Sequence, residues 1–187
     1  MDALVYLDAD TLVLRNFDEL FGLPYTFAAA PDVWEDGRGM TLEFNAGVLF
    51  LRPNMQTYEN MLSVLPTTRF PLFFAEQAFL NQYFAGRTIT LPPVYNANIV
   101  TKKKYPALWR GMWDGKEVRM IHYTVVKPFL GSGMKGIPVD DVDGRVKEVA
   151  ESQGGRYREE VEMWGRLWRE TREVYPIIKE ECLRRWP

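Results

Sequence analysis

Two aspartates stand two positions apart at the end of an apolar run near the start of the chain. Asp8 and Asp10 directly follow Leu4–Leu7 in the segment LVYLDAD. Residues i and i+2 of an extended segment point to the same side, so both carboxylates can reach one cation. Carboxylate oxygens suit hard divalent ions such as Mg²⁺ and Mn²⁺. The pattern predicts a divalent-metal site, although a polar turn that only ends a strand has the same composition.

The apolar strand followed by D-x-D-T-L has two chemical interpretations, and the motif alone does not separate them. It resembles the nucleophile motif of haloacid-dehalogenase-like phosphatases, in which Asp8 would attack a phosphoryl group and Asp10 would act as acid/base. It equally resembles the metal-binding D-x-D of nucleotide-sugar glycosyltransferases. The polar segments elsewhere in the chain have to distinguish the two.

Small and polar residues recur beside further predicted elements. Asn45, Ala46 and Gly47 lie at the start of an apolar run. The small residues let a ligand approach the backbone, and the Asn45 amide offers donors and an acceptor to sugar hydroxyls. Glu76 and Gln77 open a predicted helix, where the helix dipole favours a carboxylate. These segments indicate a polar small-molecule site.

Three more candidates follow in the middle of the chain. Asn96 lies in the turn LPPVYNAN, His122 ends a predicted strand, and Lys127 comes shortly after it. An imidazole can complete a metal site that already holds two aspartates. The Lys127 ammonium can neutralise a diphosphate. Together these residues favour the glycosyltransferase interpretation.

Alternating strands and helices must position these side chains. The short apolar runs predict strands at Leu4–Leu7, Thr11–Leu14, Ala46–Leu51, Thr88–Leu91 and Val118–Tyr123. Asn54 reads as the N-cap of one helix, and Gln77–Ala85 predicts another that ends at Gly86. The brevity of Leu4–Leu7 predicts a buried parallel strand. The alternation predicts a layered α/β fold.

Charged residues are denser after about residue 140, and this region reads as helical. An apolar stripe at steps of three and four residues runs along it through Tyr157, Val161, Trp164, Trp168, Thr171, Tyr175, Ile178 and Cys182. Pro176 should end or kink the helix. We expect the stripe to pack on its own protein, and a partner-binding coiled coil is the alternative.

Composition excludes several classes of protein. The 187 residues are 47% hydrophobic, enough to bury a core, and the net charge of −2 gives no basic excess for nucleic acid. One cysteine and one histidine exclude an internal disulfide and a two-histidine metal site. No apolar run reaches the roughly 18 residues of a membrane span. The start of the chain does not read as a signal peptide, so the cytoplasm is the default expectation.

Five segments occur in a defined order along the chain: LVYLDADTLVLRNFDELF, FNAGVLFLRP, AEQAFLN, LPPVYNAN and IHYTVVKPF. Their order resembles that of glycogenin-like retaining glycosyltransferases of family eight, over roughly residues 3–130. The resemblance implies a GT-A fold, a UDP-sugar donor and Mn²⁺, or Mg²⁺ in its place. It implies hexosyl transfer, with retention, to an acceptor that is a saccharide, a polyol or a protein.

The resemblance also implies a role for each candidate residue. Asp8, Asp10 and His122 match the metal ligands of the family. The residues that match its donor contacts are Asn45, Ala46, Gly47, Asn96 and Lys127. Glu76 and Gln77 match its acidic-Gln pair under the sugar and are the catalytic candidates. The chain departs from the family pattern in having glutamate at position 76 and a His122–Lys127 run that is one residue shorter and lacks a glycine.

The family normally has roughly a hundred residues before the D-x-D motif. We therefore expect a GT-A-like sandwich that is truncated at its N-terminal edge. Residues 1–139 would form the partial glycosyltransferase domain, and residues 140–187 a helical extension that packs on it. The alternatives to an active hexosyltransferase are a non-catalytic or fragmentary remnant, a partner-binding module that uses the C-terminal helix, and the phosphatase.

Overall fold

The computed structural model describes residues 2–177. Contacts within the chain divide it into two compact units, with the division after His122. The domain boundary expected after residue 139 lies inside the second unit and stays a prediction. Each unit is described by itself below. Among the described residues, no helix combines the length and the apolar character that crossing a membrane requires.

The first unit contains strands and helices in alternation, as the sequence pattern predicts. Its strands are β1 (Leu4–Leu7), β2 (Thr11–Val13), β3 (Phe27–Val33), β4 (Met40–Leu51), β5 (Ile89–Thr90), β6 (Ala97–Asn98) and β7 (Met120–His122). Its α-helices are α1 (Met55–Val64), α2 (Ala75–Tyr83), α3 (Val100–Lys104) and α4 (Pro106–Asp114). Short 3₁₀ turns occupy Asp18–Gly22, Leu72–Phe74 and Pro93–Asn96.

The strands form two small mixed sheets. The first has the order β1-β4-β3-β5, in which β4 is antiparallel to both neighbours and β3 is parallel to β5. The second has the order β2-β7-β6, in which β7 is antiparallel to β2 and parallel to β6. The D-x-D segment therefore connects two strands, β1 of the first sheet and β2 of the second.

Strand β1 differs from the prediction of a buried parallel strand, which was wrong. It pairs antiparallel with β4, with Leu4 opposite Leu51 and Leu7 opposite Val48. Within residues 2–177 it borders the sheet, and Tyr6 is 47% exposed. A four-residue apolar run contains no information about the direction of its partner, because that partner lies some forty positions away in the sequence.

The two central strands of the first sheet are covered on both faces. Buried residues of β3 and β4 fall into two clusters, as the side-chain alternation of a strand requires. One cluster contains Leu20, Ala28, Ala30, Phe50 and Leu91, and the other Phe27, Ala29, Phe44, Ala46 and Leu49. Because both faces are buried, β3 and the second half of β4 read as continuous apolar runs even though they pair antiparallel.

Helix α1 begins where the sequence predicts. The side chain of Asn54 accepts a hydrogen bond from the backbone N–H of Thr57 at 2.9 Å, so Asn54 is the N-cap. Helix α2 starts two residues earlier than predicted, at Ala75, which adopts φ 45°. That backbone conformation is unusual for a residue other than glycine, and it directly precedes Glu76.

The second unit is built on two helices, α5 (Val142–Gly155) and α6 (Arg158–Val174), with short 3₁₀ turns at Ser132–Met134 and Val139–Asp141. The last turn of α5 departs from helical geometry at Ser152, Gln153 and Gly154. Val142, Val146, Val149 and Ala150 of α5 are buried, as are Val161 and Gly165 of α6. This small apolar interface holds the two helices together.

The apolar stripe of α6 packs inside its own unit. Phe129 contacts Trp164 with ring centroids 5.5 Å apart, and Trp164 stacks on Trp168 at 5.8 Å. The helix ends at Val174, two residues before Pro176, because a residue that precedes proline is disfavoured in helical conformation. The predicted stripe positions Ile178 and Cys182, and the rest of the 140–187 extension beyond residue 177, lie outside the described residues.

Candidate functional site

The D-x-D segment is a tight turn that its own residues hold in place. The carbonyl of Asp8 accepts hydrogen bonds from the Thr11 N–H at 3.1 Å and from the Thr11 hydroxyl at 2.7 Å. The N–H of Asp8 donates to the carbonyl of Gly47 at 2.8 Å. The turn between β1 and β2 is thereby tied to β4. This fixes the backbone from which Asp8 and Asp10 project.

His122 reaches the same turn because of the register of the second sheet. β7 pairs with β2 so that His122 lies opposite Thr11. Its Nε2 lies 3.1 Å from Oδ1 of Asp10 and 4.0 Å from Oδ2 of Asp8. The structure therefore brings His122 to two aspartates from which it is separated by more than a hundred positions in sequence. Their role as metal ligands stays a prediction.

The donor set, and the distances from Nε2 of His122 to the two carboxylates, are compatible with one divalent cation. Each of Asp8, Asp10 and His122 offers a ligand atom, and these atoms all lie within 4.8 Å of one another. Two ligand atoms that are each about 2.1 Å from an ion are at most about 4.2 Å apart, which includes both distances from Nε2. Two carboxylates and one imidazole suit Mn²⁺, and Mg²⁺ is also compatible with oxygen-rich sites.

Gly47 gives the imidazole its space. A Cβ at this position would lie 2.2 Å from Cε1 and 2.7 Å from Nδ1 of His122. Real Cβ atoms do not approach ring atoms so closely, so any other residue here would displace the ring. A small residue at position 47 is predicted to let a ligand approach the backbone, and in the structure it also lets His122 approach.

Behind His122, buried side chains form a continuous chain of hydrogen bonds. Nδ1 of His122 lies 3.1 Å from Oδ1 of Asn96, and Nδ2 of Asn96 donates to Oδ1 of Asn45 at 2.9 Å. Nδ2 of Asn45 donates to Oδ1 of Asp32 at 3.1 Å, and Oδ1 of Asn45 also accepts from Gly47 N–H at 3.0 Å. Of the predicted donor contacts, Asn96 is thus linked directly to the predicted metal ligand His122, and Asn45 is linked to it through Asn96.

Asp32 is a member of the site that the sequence analysis missed. It is 4% exposed, and its Oδ2 accepts a hydrogen bond from Nε2 of Gln77 at 2.8 Å. The other end of the same amide, Oε1 of Gln77, accepts from Ala46 N–H at 2.9 Å. The available signal was a lone carboxylate in the apolar run FAAAPDV, because a buried carboxylate requires partners.

Glu76 and Gln77, the predicted catalytic pair, point to different places. Glu76 is exposed and lines a groove of about 700 Å³ beside Tyr6 and Ala46. Gln77 is half-buried and lines a separate cavity of about 730 Å³ that also contains Trp34 and Phe74. The exposed carboxylate of Glu76 and the hydrogen-bonded amide of Gln77 therefore have separate surroundings, and the catalytic role of the pair stays a prediction.

Tyr6 is a second residue that the sequence analysis did not single out. Its hydroxyl donates to Oδ1 of Asp8 at 2.8 Å. This hydrogen bond, and then the negative charge of Asp8, raise the pKa of the Tyr6 phenol. Alternation along β1 places positions 6 and 8 on one side, which was the available signal.

Lys127 belongs to the second unit, after β7, and is half-buried. Its predicted contact with a diphosphate stays a prediction.

Comparisons with known proteins agree on one family. Residues 1–131 match the family model described as glycosyl transferase family 8. Galactinol synthase 1 of Arabidopsis thaliana is 34% identical over 161 residues, which cover 70% of this chain and 45% of that protein. Glycogenin-1 of Caenorhabditis elegans is 36% identical over 135 residues, which cover 68% of this chain and 29% of that protein. The chain spans about half the length of the galactinol synthases that it matches.

Solved structures agree on the fold. The bifunctional glycosyltransferase WbbM superposes with a TM-score of 0.53 at 19% identity, over 87% of this chain and 34% of that one. The glycosyltransferase GlyE of Streptococcus pneumoniae superposes with a TM-score of 0.50 at 19% identity, over 85% of this chain and 42% of that one. The expected α/β fold of the GT-A type is confirmed, and the family match sets aside the phosphatase interpretation of D-x-D. The chain belongs to glycosyl transferase family 8.

Proposed function

We propose that this chain carries the metal and sugar sites of a hexosyltransferase. It would transfer a hexosyl unit from a UDP-sugar to a saccharide, polyol or protein acceptor, with retention at the anomeric carbon. The observation that carries this proposal is the cluster of Asp8, Asp10 and His122, whose ligand atoms lie within 4.8 Å of one another. Membership of a glycosyltransferase family supports the reaction class.

In this proposal Asp8, Asp10 and His122 hold Mn²⁺, or Mg²⁺, at the end of β1. The bound cation supplies positive charge that stabilises the leaving UDP diphosphate. The half-exposed carboxylate of Asp8 keeps one oxygen on the Tyr6 hydroxyl and presents the other toward Nε2 of His122. Lys127 would add a second positive charge to the diphosphate.

The sugar would lie over the Asn45–Gly47 segment and the start of α2. Oδ1 of Asn45 already accepts from Asn96 and from Gly47, so both of its lone pairs are used. Asn45 can therefore offer the sugar only its remaining N–H. Glu76 is the exposed carboxylate beside this segment, and we assign it the contact with the donor sugar. Gln77 would position the segment beneath the sugar through its hydrogen bonds to Ala46 and Asp32.

The available carboxylates favour attack of the acceptor on the face from which UDP leaves. Retention through a covalent intermediate requires a carboxylate nucleophile, as in retaining glycosidases. The carboxylate of Asp32 is poorly placed to attack a sugar, because it is buried and each of its oxygens already accepts a hydrogen bond, Oδ1 from Asn45 and Oδ2 from Gln77. With Asp8 and Asp10 assigned to the metal, Glu76 is the candidate nucleophile among residues 2–177, and a Glu76→Gln variant that still retains configuration would support the front-face route.

Calorimetric titration with Mn²⁺ and UDP, separately and together, tests the proposal. An ion held by two carboxylates and one imidazole needs diphosphate oxygens to complete its coordination, so each ligand should strengthen binding of the other. Asp10→Asn should abolish this coupling, whereas the exposed control Asp36→Asn should leave it unchanged. Lys127→Ala should weaken UDP binding and leave the signal with Mn²⁺ alone unchanged.

Two outcomes would contradict the proposal at different levels. Equal UDP affinity with and without Mn²⁺ would remove the metal site from donor binding. Coupled binding without release of UDP from UDP-glucose or UDP-galactose, with or without added saccharides, would favour a protein that binds the donor and does not transfer its sugar.

A further inference from the structure

The hydrogen-bonded side chains behind His122 are all buried. The exposed fractions are 4% for Asp32, 8% for Asn45, 2% for Asn96 and 4% for His122. The three distances between successive side chains are 3.1, 2.9 and 3.1 Å, within the range of ordinary hydrogen bonds. Each buried amide could in principle be turned either way, so hydrogen bonds could be donated along this chain in either direction. The groups at its two ends determine which direction is adopted.

The end at Asp32 can only accept. Its carboxyl group accepts three N–H donors, from the backbone of Val33 at 2.8 Å, from Asn45 at 3.1 Å and from Gln77 at 2.8 Å. Asn45 must therefore turn its NH₂ group toward Asp32 and its oxygen away from it. The backbone N–H of Gly47 faces that oxygen at 3.0 Å and imposes the same orientation.

The direction then passes along the chain to the imidazole. Because Asn45 presents an oxygen, Asn96 must present its NH₂ group to it, which leaves Oδ1 of Asn96 facing Nδ1 of His122. An oxygen opposite a lone pair on Nδ1 would leave two buried acceptors unsatisfied, at a cost that buried groups do not tolerate. Nδ1 must carry a proton.

The two nitrogens of the ring have different surroundings. On the Nε2 side, the side chains of Asp8 and Asp10 are 35% and 17% exposed, so solvent can take part in their hydrogen bonding. On the Nδ1 side, no such exchange is open to the buried amides. The buried side therefore decides which nitrogen keeps the proton when the ring is neutral.

We propose that Asp32 is a positioning residue whose carboxylate, acting through Asn45 and Asn96, fixes the proton of His122 on Nδ1 and so leaves the lone pair of Nε2 directed between Asp8 and Asp10. A histidine that binds a metal through Nε2 uses this tautomer, with Nδ1–H donating to an acceptor. The consequence for metal affinity rests on the proposed function, whereas the tautomer itself does not.

The chain suits a direct measurement because His122 is its single histidine. Protein labelled with ¹⁵N-histidine gives one pair of ring-nitrogen signals, and long-range ¹H–¹⁵N correlation identifies the protonated nitrogen without assignment. The metal-free protein is measured in mildly alkaline buffer. The wild type should carry its proton on Nδ1. A proton on Nε2 in the wild type would overturn the proposal without any variant.

Two variants test the relay, which is the hydrogen-bonded chain from Asp32 through Asn45 and Asn96 to His122, at its two ends. Asn96→Leu removes the acceptor, and the proton should move to Nε2, where Oδ1 of Asp10 lies 3.1 Å away. Asp32→Asn cannot accept from both Asn45 and Gln77, so a mixture of tautomers should appear. Full retention of Nδ1–H in Asp32→Asn would overturn the role of Asp32. Asn45→Leu interrupts the same path and replaces Asp32→Asn if that variant does not fold.

Asn81→Ala is the matched control. Asn81 ties the backbone of Phe44 to α2 through bonds of 2.8 and 2.9 Å but takes no part in the relay, so its loss should leave Nδ1–H unchanged. Mn²⁺ affinity measured by electron paramagnetic resonance should fall about 10- to 100-fold in Asn96→Leu and about tenfold in Asp32→Asn. A wild type that carries its proton on Nδ1 but does not turn over UDP-sugar would contradict the transferase proposal. It would leave the proposed role of Asp32 unaffected.

Discussion

Tyr6 of β1 donates a 2.8 Å hydrogen bond to Oδ1 of Asp8, which lies just beyond the end of that strand. The opposite oxygen of Asp8, Oδ2, is the atom that lies 4.0 Å from Nε2 of His122. Tyr6 therefore holds one oxygen of the carboxylate and leaves the other for the proposed cation. This contact orients a candidate metal ligand without touching the ion itself.

We expect Tyr6→Phe to weaken Mn²⁺ binding by a few-fold up to about tenfold, the lower part of the range for partners of metal ligands. The aromatic ring stays, so folding should be little affected. Mn²⁺ titration followed by electron paramagnetic resonance measures the change. Tyr58→Phe, which alters a half-exposed tyrosine on α1, is the control. Equal Mn²⁺ affinity in wild type and Tyr6→Phe would show that Asp8 needs no such support.

Gly47→Ala should disturb the site more than it disturbs the fold. The added Cβ would lie 2.2 Å from Cε1 of His122, so the ring has to move away from Asp8 and Asp10. Such overpacking typically costs about 1–3 kcal/mol of stability. We expect Mn²⁺ binding to be lost and thermal stability to fall by this amount. Gly37→Ala, where a Cβ meets nothing within 4 Å, is the matched control and should change neither.

Gly165→Ala should destabilise the second unit even though alanine favours helix. The new Cβ would lie 2.7 Å from Cγ1 of Val146, so the α5–α6 interface has to separate. We expect a loss of about 1–3 kcal/mol from overpacking, larger than the gain of about 1 kcal/mol in helix propensity. Denaturant unfolding of Gly165→Ala, Val146→Ala and the double variant measures the coupling. Additive losses would contradict the packing argument, and Gly144→Ala, with an open Cβ position, should not destabilise.

The stability of the second unit should decrease in alkaline solution. Tyr123 is fully buried and donates to the carbonyl of Glu160 at 2.7 Å, and burial raises its pKa. Its contribution to stability is fully present below the ordinary tyrosine pKa of about 10 and is lost as pH rises above it, because only the unfolded chain ionises readily. Urea unfolding at increasing pH, compared with Tyr123→Phe, tests this. A wild type and a variant with the same pH dependence would exclude Tyr123 as the cause.

Local patterns were enough to predict that Asp8, Asp10 and His122 lie close together. Asp8 and Asp10 follow a strand, and His122 ends another, so strand ends alone bring them near one crevice. Asp32 could not be found in this way, because its importance depends on Asn45 and Gln77, which lie on two other elements. A lone aspartate in an apolar run signals only that some partner must exist.

The direction and length of strands were harder to predict than their presence. The sequence indicated a strand over Ala46–Leu51, whereas β4 runs from Met40 to Leu51 and β3 was not predicted at all. Residues 40–43 are polar or exposed for much of their length and lack a periodic pattern. Their extended conformation follows from pairing with β3 through a register that shifts twice, which no local signal encodes.

The site also depends on the register with which strand β4 pairs with its neighbours. Asn45 and Gly47 share one side of the strand, whereas Ala46 meets Gln77 through its backbone N–H. Slippage by a single residue would exchange the two faces, replacing the glycine clearance beside His122 with a side chain and turning the Asn45 amide away from Asp32. A chain that folded with β4 out of step would keep its helices and much of its apolar burial. Loss of the proposed Mn²⁺ binding would then detect the misfolded chain at a point where its secondary structure is still unchanged.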